Sequence, residues 1–306
     1  MCKIDKYTLM EVYMKKIALI LLAIVLAASL IACNNESSND DNSAGVADYA
    51  KPSREQSVVV DGKTVGTLSY EDDKGDTAVI TNYIGIYTSH KVVIDKTVGE
   101  GNSKLTVTKI GNEAFYYCTA ATEIVLPETL THIGDWAFAG CVGLESITIP
   151  ASVTSIGKGA FNGCKNLKTV IFEGSELETI GDYAFNDCVS LETISIPEGV
   201  ESIGAKAFGD CERLTYIKTP ASLKSIEDMA FYGCKGLNAE GAIDLSASVN
   251  IIIYTAMVDG VEVKTPAIGK HVFAGIKKAY IIVPEDENSA FAKYVAEMQE
   301  NVTEEN

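Results

Sequence analysis

The chain has 306 residues, 47% of them hydrophobic, and a formal charge of -17 at pH 7. That acidity argues against nucleic acid and anionic lipid headgroups as partners, because both demand cationic patches. Length alone allows two domains, but the centre of the chain is periodic, and a periodic array grows by adding turns, so one elongated domain is expected.

Residues 17–32 form an apolar run, with Ser29 its one polar residue, behind Lys15 and Lys16, the charged and apolar regions of an export signal. The run has 16 residues and ends in Leu30-Ile31-Ala32-Cys33, whereas a spanning helix needs about 20 and a basic flank. The tetrapeptide resembles the bacterial lipobox. The resemblance implies a signal peptide over 1–32, cleavage before Cys33 and a diacylglycerol on its sulfur, so that the protein is exported and anchored to the cell membrane. A plain signal peptide or an uncleaved anchor helix is the alternative. Met14 immediately precedes the two lysines and is a second candidate start. Removing the first 32 residues, which hold four Lys and two acidic residues, takes the charge from -17 to -19. Residues 33–56 are polar and cannot bury apolar surface, so they are expected to be a disordered tether roughly 25 Å in random-coil length.

Residues 57–109 contain strand-like runs such as Ser57-Val58-Val59-Val60 and Thr77-Ala78-Val79-Ile80, expected as an irregular β cap. Phenylalanine then recurs at Phe115, Phe138, Phe161, Phe185, Phe208 and Phe231, each followed three places later by a cysteine, at intervals of 23, 23, 24, 23 and 23. A fixed period of this size means one small unit stacked on itself, a solenoid over 110–285. In the second copy Ile147 and Ile149 alternate with Ser146 and Thr148, the period of a strand with one buried face. Pro127, Pro150, Pro197 and Pro220 end the strands, since a missing N–H stops a ladder. Gly111, Gly134, Gly157, Gly181, Gly204 and Gly269 follow the next Ile, which implies positive φ or close backbone contact. One unit orders too much backbone for the apolar surface it buries, so stacking is obligatory and both ends need caps.

The Phe231 to Phe273 interval is 42; the excess lies at about 250–266, where two strand-like runs flank Asp259-Gly260, a hairpin signal. This excursion is either a neutral surface insertion or a recognition element. Ala279–Pro284 reads as a last strand, and 286–306 as a closing helix over 289–299 with a tail, Ser289 being the N-cap.

The unit Leu-x-x-Ile-x-Ile-Pro followed by Val-x-x-Ile-Gly-x-x-Ala-Phe-x-x-Cys is similar to the BspA type of bacterial leucine-rich repeat, over roughly 105–285. The resemblance implies an α/β-type curved solenoid with a parallel sheet on its concave face, bacterial surface display and, in several members, adhesion to host matrix proteins or cells. Departures are Glu227 for Gly, Glu173-Gly174 for Pro with one extra residue, Val272 for Ala and Ile276 for the seventh Cys.

No catalytic or cofactor motif is present, and neither enzyme activity nor a cofactor is expected. His90, His132 and His271 occupy unrelated positions and are expected at the surface. The cysteine column could hold free thiols, disulfides between successive turns or a metal; its place beside Phe and Leu positions favours buried thiols. The remaining candidate is the outward strand face: Glu123 and Val125, Ser146 and Thr148, Thr169 and Ile171, Thr193 and Ser195, Tyr216 and Lys218. A hydroxyl stripe running into Tyr and Lys suits an extracellular protein or glycan ligand, although Thr is also simply a good strand residue. The favoured function is therefore a non-enzymatic surface lipoprotein that binds such a ligand. The alternative is a structural envelope spacer without one.

Overall fold

The computed structural model describes residues 54–86, 90–239, 242–244, 253–258, 261–266, 271–274 and 281–282. Chain contacts separate Met1–Ala50, which lies outside the described residues, from a unit Lys51–Asn306 that contains all of them. The expected signal peptide and Cys33 fall in the former.

The cap consists of β1 (Arg54–Val60), β2 (Lys63–Asp72), β3 (Thr77–Gly85), β4 (His90–Val93), β5 (Thr97–Val98) and β6 (Leu105–Ile110). β1 starts inside the stretch read as tether, because Arg54, Glu55 and Gln56 pair with Tyr70, Ser69 and Leu68. Each turn then contributes a longer and a shorter strand. They are β7 (Ala121–Val125) and β8 (His132–Ile133), β9 (Ser146–Ile149) and β10 (Ser155–Ile156), β11 (Thr169–Phe172) and β12 (Thr179–Ile180), β13 (Thr193–Ser195) and β14 (Ser202–Ile203), and β15 (Tyr216–Lys218) and β16 (Ser225–Ile226). β17 (Ile243–Asp244), an antiparallel pair β18 (Ile253–Val258) and β19 (Val261–Pro266), and β20 (Ile281–Ile282) follow. The excess residues thus include a hairpin, and β17 pairs in parallel with β20 across it.

The longer strands form two parallel four-stranded sheets, β4-β7-β9-β11 and β13-β15-β17-β20; the shorter ones form a second, unbroken parallel ladder β6-β8-β10-β12-β14-β16. One sheet was expected and two ladders are present. Among the described residues there is no α-helix, and the 3-10 turn Gly101–Ser103 is the one helical segment. The α/β expectation is thereby corrected to an all-β solenoid of about six turns. A 23-residue period divided among two strands and a turn leaves no length for a helix. The helix expected over 289–299 lies outside the described residues.

The third side of each turn replaces a helix with stacked turns. Phe115, Phe138, Phe161, Phe185 and Phe208 donate their N–H groups to the carbonyls of Ala137, Ala160, Ala184, Ala207 and Ala230 in the next turn, at 2.7–2.8 Å. Residues two places before and after the Phe donate in the same direction, as Trp136 does to Lys158 and Gly140 to Asn162. This alignment needs a left-handed residue on each side of the Phe. Trp136 and Gly140, Tyr183 and Asp187, and Lys206 and Asp210 all have φ between 51 and 72. The glycines after the Ile have no such need. A β-carbon on Gly157 would stand 2.7 Å from the carbonyl carbon of Gly134, and one on Gly204 2.6 Å from that of Gly181. They are there for close contact between turns.

All six repeat phenylalanines are buried, and the rings stack in single file from Phe115 to Phe273 with centroids 5.0–5.7 Å apart when Tyr83 is included. Tyr83 extends the file into the cap, lying 5.0 Å from Phe115. Its hydroxyl donates to the Val65 carbonyl at 3.0 Å and meets His90 Nε2 at 2.8 Å. His90 is therefore buried, contrary to expectation: the cap closes the stack with a polar pair that needs this partner. His132 and His271 are exposed.

Candidate functional site

Strand alternation sends Ile124, Ile147, Val170, Ile194 and Ile217 into the core and their neighbours to solvent, which builds the outward face from the longer strands. Glu123, Ser146, Thr169, Thr193, Ser195, Tyr216 and Lys218 are exposed there, and Thr148 is half-buried. Glu123 stands opposite Ser146, which stands opposite Thr169; Thr193 and Ser195 stand opposite Tyr216 and Lys218. The eight residues do not share one sheet. Glu123, Ser146, Thr148 and Thr169 lie on β4-β7-β9-β11, and Thr193, Ser195, Tyr216 and Lys218 on β13-β15-β17-β20.

The division falls where Glu173-Gly174 replaces Pro and adds a residue, after β11. There Ile171 is 50% exposed, while Phe172 packs against the core. Ile171 is the largest apolar side chain offered by this face and stands beside the gap. On the far side Tyr216 is 37% exposed and its hydroxyl donates to Asp244 Oδ2 at 3.5 Å. Burial and the neighbouring Asp244 carboxylate push the Tyr216 phenol up, so it remains a neutral donor.

Charges border the face in pairs between turns: Lys91 with Glu123 at 2.7 Å, Lys168 with Glu145 at 2.9 Å, and Arg213 with Glu192 at 3.2 Å. Such exposed pairs are each worth about 0–1 kcal/mol, so they set register and local neutrality more than stability. The face between them is dominated by hydroxyls.

The cysteine column holds free thiols: Cys141, Cys164, Cys188, Cys211 and Cys234 are buried and Cys118 half-buried. Each buried sulfur donates to the Phe carbonyl of the preceding turn at 3.0–3.2 Å, Cys188 to Phe161 for example. A small apolar residue would fill the space but leave that carbonyl with one donor fewer. Burial and then the neighbouring Cys141 push Cys118 up to about 12, so even the most accessible of these thiols is a poor nucleophile. No cluster of metal-ligating groups occurs among the described residues.

An extended sheet face on stacked turns, with Leu, Ile and Phe of every turn in one core, defines a leucine-rich-repeat solenoid, an architecture that generally serves interaction. Residues 105–252 match, in six copies, the BspA type leucine rich repeat region, and the solenoid belongs to that family. Among solved structures, a leucine-rich repeat protein from Bacteroides ovatus is 36% identical over 58% of this chain and 45% of its own, with a TM-score of 0.53. A leucine rich cell surface protein from Faecalibacterium prausnitzii is 26% identical over 79% of this chain and 57% of its own, with a TM-score of 0.57. The leucine rich repeat protein of T. pallidum is 26% identical over 76% of this chain and 92% of its own, again with a TM-score of 0.57. The chain thus spans about half the length of the first two. It matches no curated protein.

Proposed function

We propose that the outward strand face binds an extracellular protein or glycan, and that the protein is a bacterial surface lipoprotein held to the membrane through Cys33. The observation that carries the binding reading is the composition of that face: neutral hydroxyls in register, an exposed Ile171 at the break, and Tyr216 with Lys218 beyond it. Tyr216 is the kind of side chain that anchors interfaces, and the hydroxyls around it can donate to or accept from a polar partner.

The double substitution Tyr216→Ala, Lys218→Ala is expected to weaken binding to an immobilised extracellular ligand roughly 30-fold, the loss of about 2 kcal/mol that a hot spot carries. The thermal midpoint should stay put, because both side chains are exposed. Surface plasmon resonance against matrix proteins and a glycan array measures it, and unchanged affinity would leave the spacer reading in place. The anchor rests on the apolar run ending in Leu30-Ile31-Ala32-Cys33. N-terminal mass spectrometry of the membrane fraction should find residue 33 first and carrying diacylglycerol; an unmodified Cys33 removes the anchor from the proposal.

A further inference from the structure

The cap leaves two strand edges open beside each other. Among the described strands β1 pairs with β2 alone, and β4, the first strand of the outward sheet, pairs with β7 alone. β1 nevertheless runs up to β4, and between them lies a cleft of about 380 Å³ lined by Gln56 to Asp61, Leu68, Lys91, Val93 and Asp95. His90 and Ile94 donate their N–H groups to Ala120 and Val125 of the next turn. By the two-residue alternation of a strand, the N–H and C=O groups of Lys91 and Val93 point the other way, into the cleft. None of these four backbone groups has a hydrogen-bond partner among the described residues. Backbone groups left like this at a sheet edge are a template for another strand.

The side chains state what kind of strand fits. Val59 is 56% exposed, and Val60 and Val93 are half-buried, so β-branched side chains form part of the walls, beside the polar Gln56, Ser57, Asp61, Lys91 and Asp95. The one cation, Lys91, is neutralised by Glu123 at 2.7 Å. Asp61 and Asp95 are exposed and have no ion-pair partner among the described residues. The cleft is therefore acidic and only partly apolar, and a second copy of a chain with a net charge of -17 is a poor occupant.

We propose that the cleft captures an extended peptide segment of a partner protein, basic at alternate positions with β-branched residues between. The segment pairs its main chain with the open edge of β4, so that the outward sheet gains a strand. This is recognition by strand addition, in which main-chain hydrogen bonds supply affinity and pockets for alternate side chains supply selectivity. It is a second site, separate from the Tyr216 end of the face.

The probe is a blocked heptapeptide of alternating Lys and Val, titrated calorimetrically into the full chain in detergent, beside a twin N-methylated at every second amide. The expected result is one peptide bound per chain, at least tenfold weaker binding of the twin, and new hydrogen-exchange protection at Lys91 and Val93. Val93→Pro removes the outward N–H without touching the bonds to β7, and proline is tolerated at such an edge position; it should weaken binding at least tenfold. If that variant does not fold, the N-methylated twin still decides the matter on the native chain. Tyr216→Ala, Lys218→Ala should leave peptide binding unchanged, so loss of either site is read independently of the other. No binding, equal binding of both peptides, protection at β15 in place of β4, or self-association of the chain through this edge overturns the proposal.

Discussion

Phe185→Ala is expected to lower the unfolding free energy by about 3–5 kcal/mol and to split one unfolding transition into two. The ring is fully buried and lies 5.1 Å from Phe161 and 5.3 Å from Phe208, tilted by 2° and 5°. Both neighbours are held in place by ladders that do not pass through the ring: Ile180 pairs with Ile203 on one side of the turn, and Phe161 donates to Ala184 on the other. The turns cannot close over the gap, so the cavity persists and the penalty belongs at the upper end of the range. Lost ring stacking adds about 0.5–1.5 kcal/mol. Stability in a solenoid is close to a sum of intrinsic repeat terms and nearest-neighbour interfaces. Weakening one central interface therefore uncouples the turns before it from those after it. Urea denaturation followed by circular dichroism should show a lower midpoint and a smaller apparent m value for the variant. A loss below about 1 kcal/mol with an unchanged m would mean that the file of rings is not the spine of the stack.

That spine was legible because its signal is a period, and a period survives without knowledge of what each residue touches. The outward face was legible for the same reason: alternation fixes which side Ser146 and Thr148 take once Ile147 is assigned to the core. The return side was not, because its geometry depends on backbone signs that side chains barely encode. Left-handed φ values fall on Trp136, Tyr183 and Lys206 as well as on Gly140, and the first three are not residues that announce that conformation. Their places are imposed by the N–H bonds to the next turn, and the Gly/Asp enrichment at Gly140, Asp187, Asp210 and Gly233 marks only the position after each Phe. Tyr83 and His90 were missed because the cap has no repeat, so nothing in the local sequence shows that a tyrosine 32 residues before Phe115 continues its stack. The break after β11 was visible as one extra residue. That it divides the outward sheet but spares the short ladder β10-β12-β14 follows from where the added residue is absorbed, between Phe172 and Thr179.

Alkaline pH is expected to unfold the solenoid over a narrow range beginning near the ordinary thiol value of 9.0. Cys141 is pushed up by its contact with the Cys164 thiol and by burial, and Cys164, Cys188 and Cys211 chiefly by burial. A thiol whose folded value is raised stays protonated in the native state while the unfolded chain releases its proton. Its contribution is thus complete below about 9 and is lost as pH climbs from there towards the folded value. Each such group tilts stability by about 1.4 kcal/mol per pH unit within that window, and four together by about 5 kcal/mol per unit. Set against a total of about 5–15 kcal/mol, that slope carries the protein through its transition within one to three pH units. Urea midpoints measured at pH 7.5, 9, 10 and 10.5 under constant reductant should fall steeply only above 9. Cys188→Ala should flatten the fall by about a quarter while costing stability of its own at pH 7.5, where it removes the bond to the Phe161 carbonyl. A flat profile through pH 10.5 would mean that the column does not hold protonated thiols, and titration of the denatured chain would then show them oxidised.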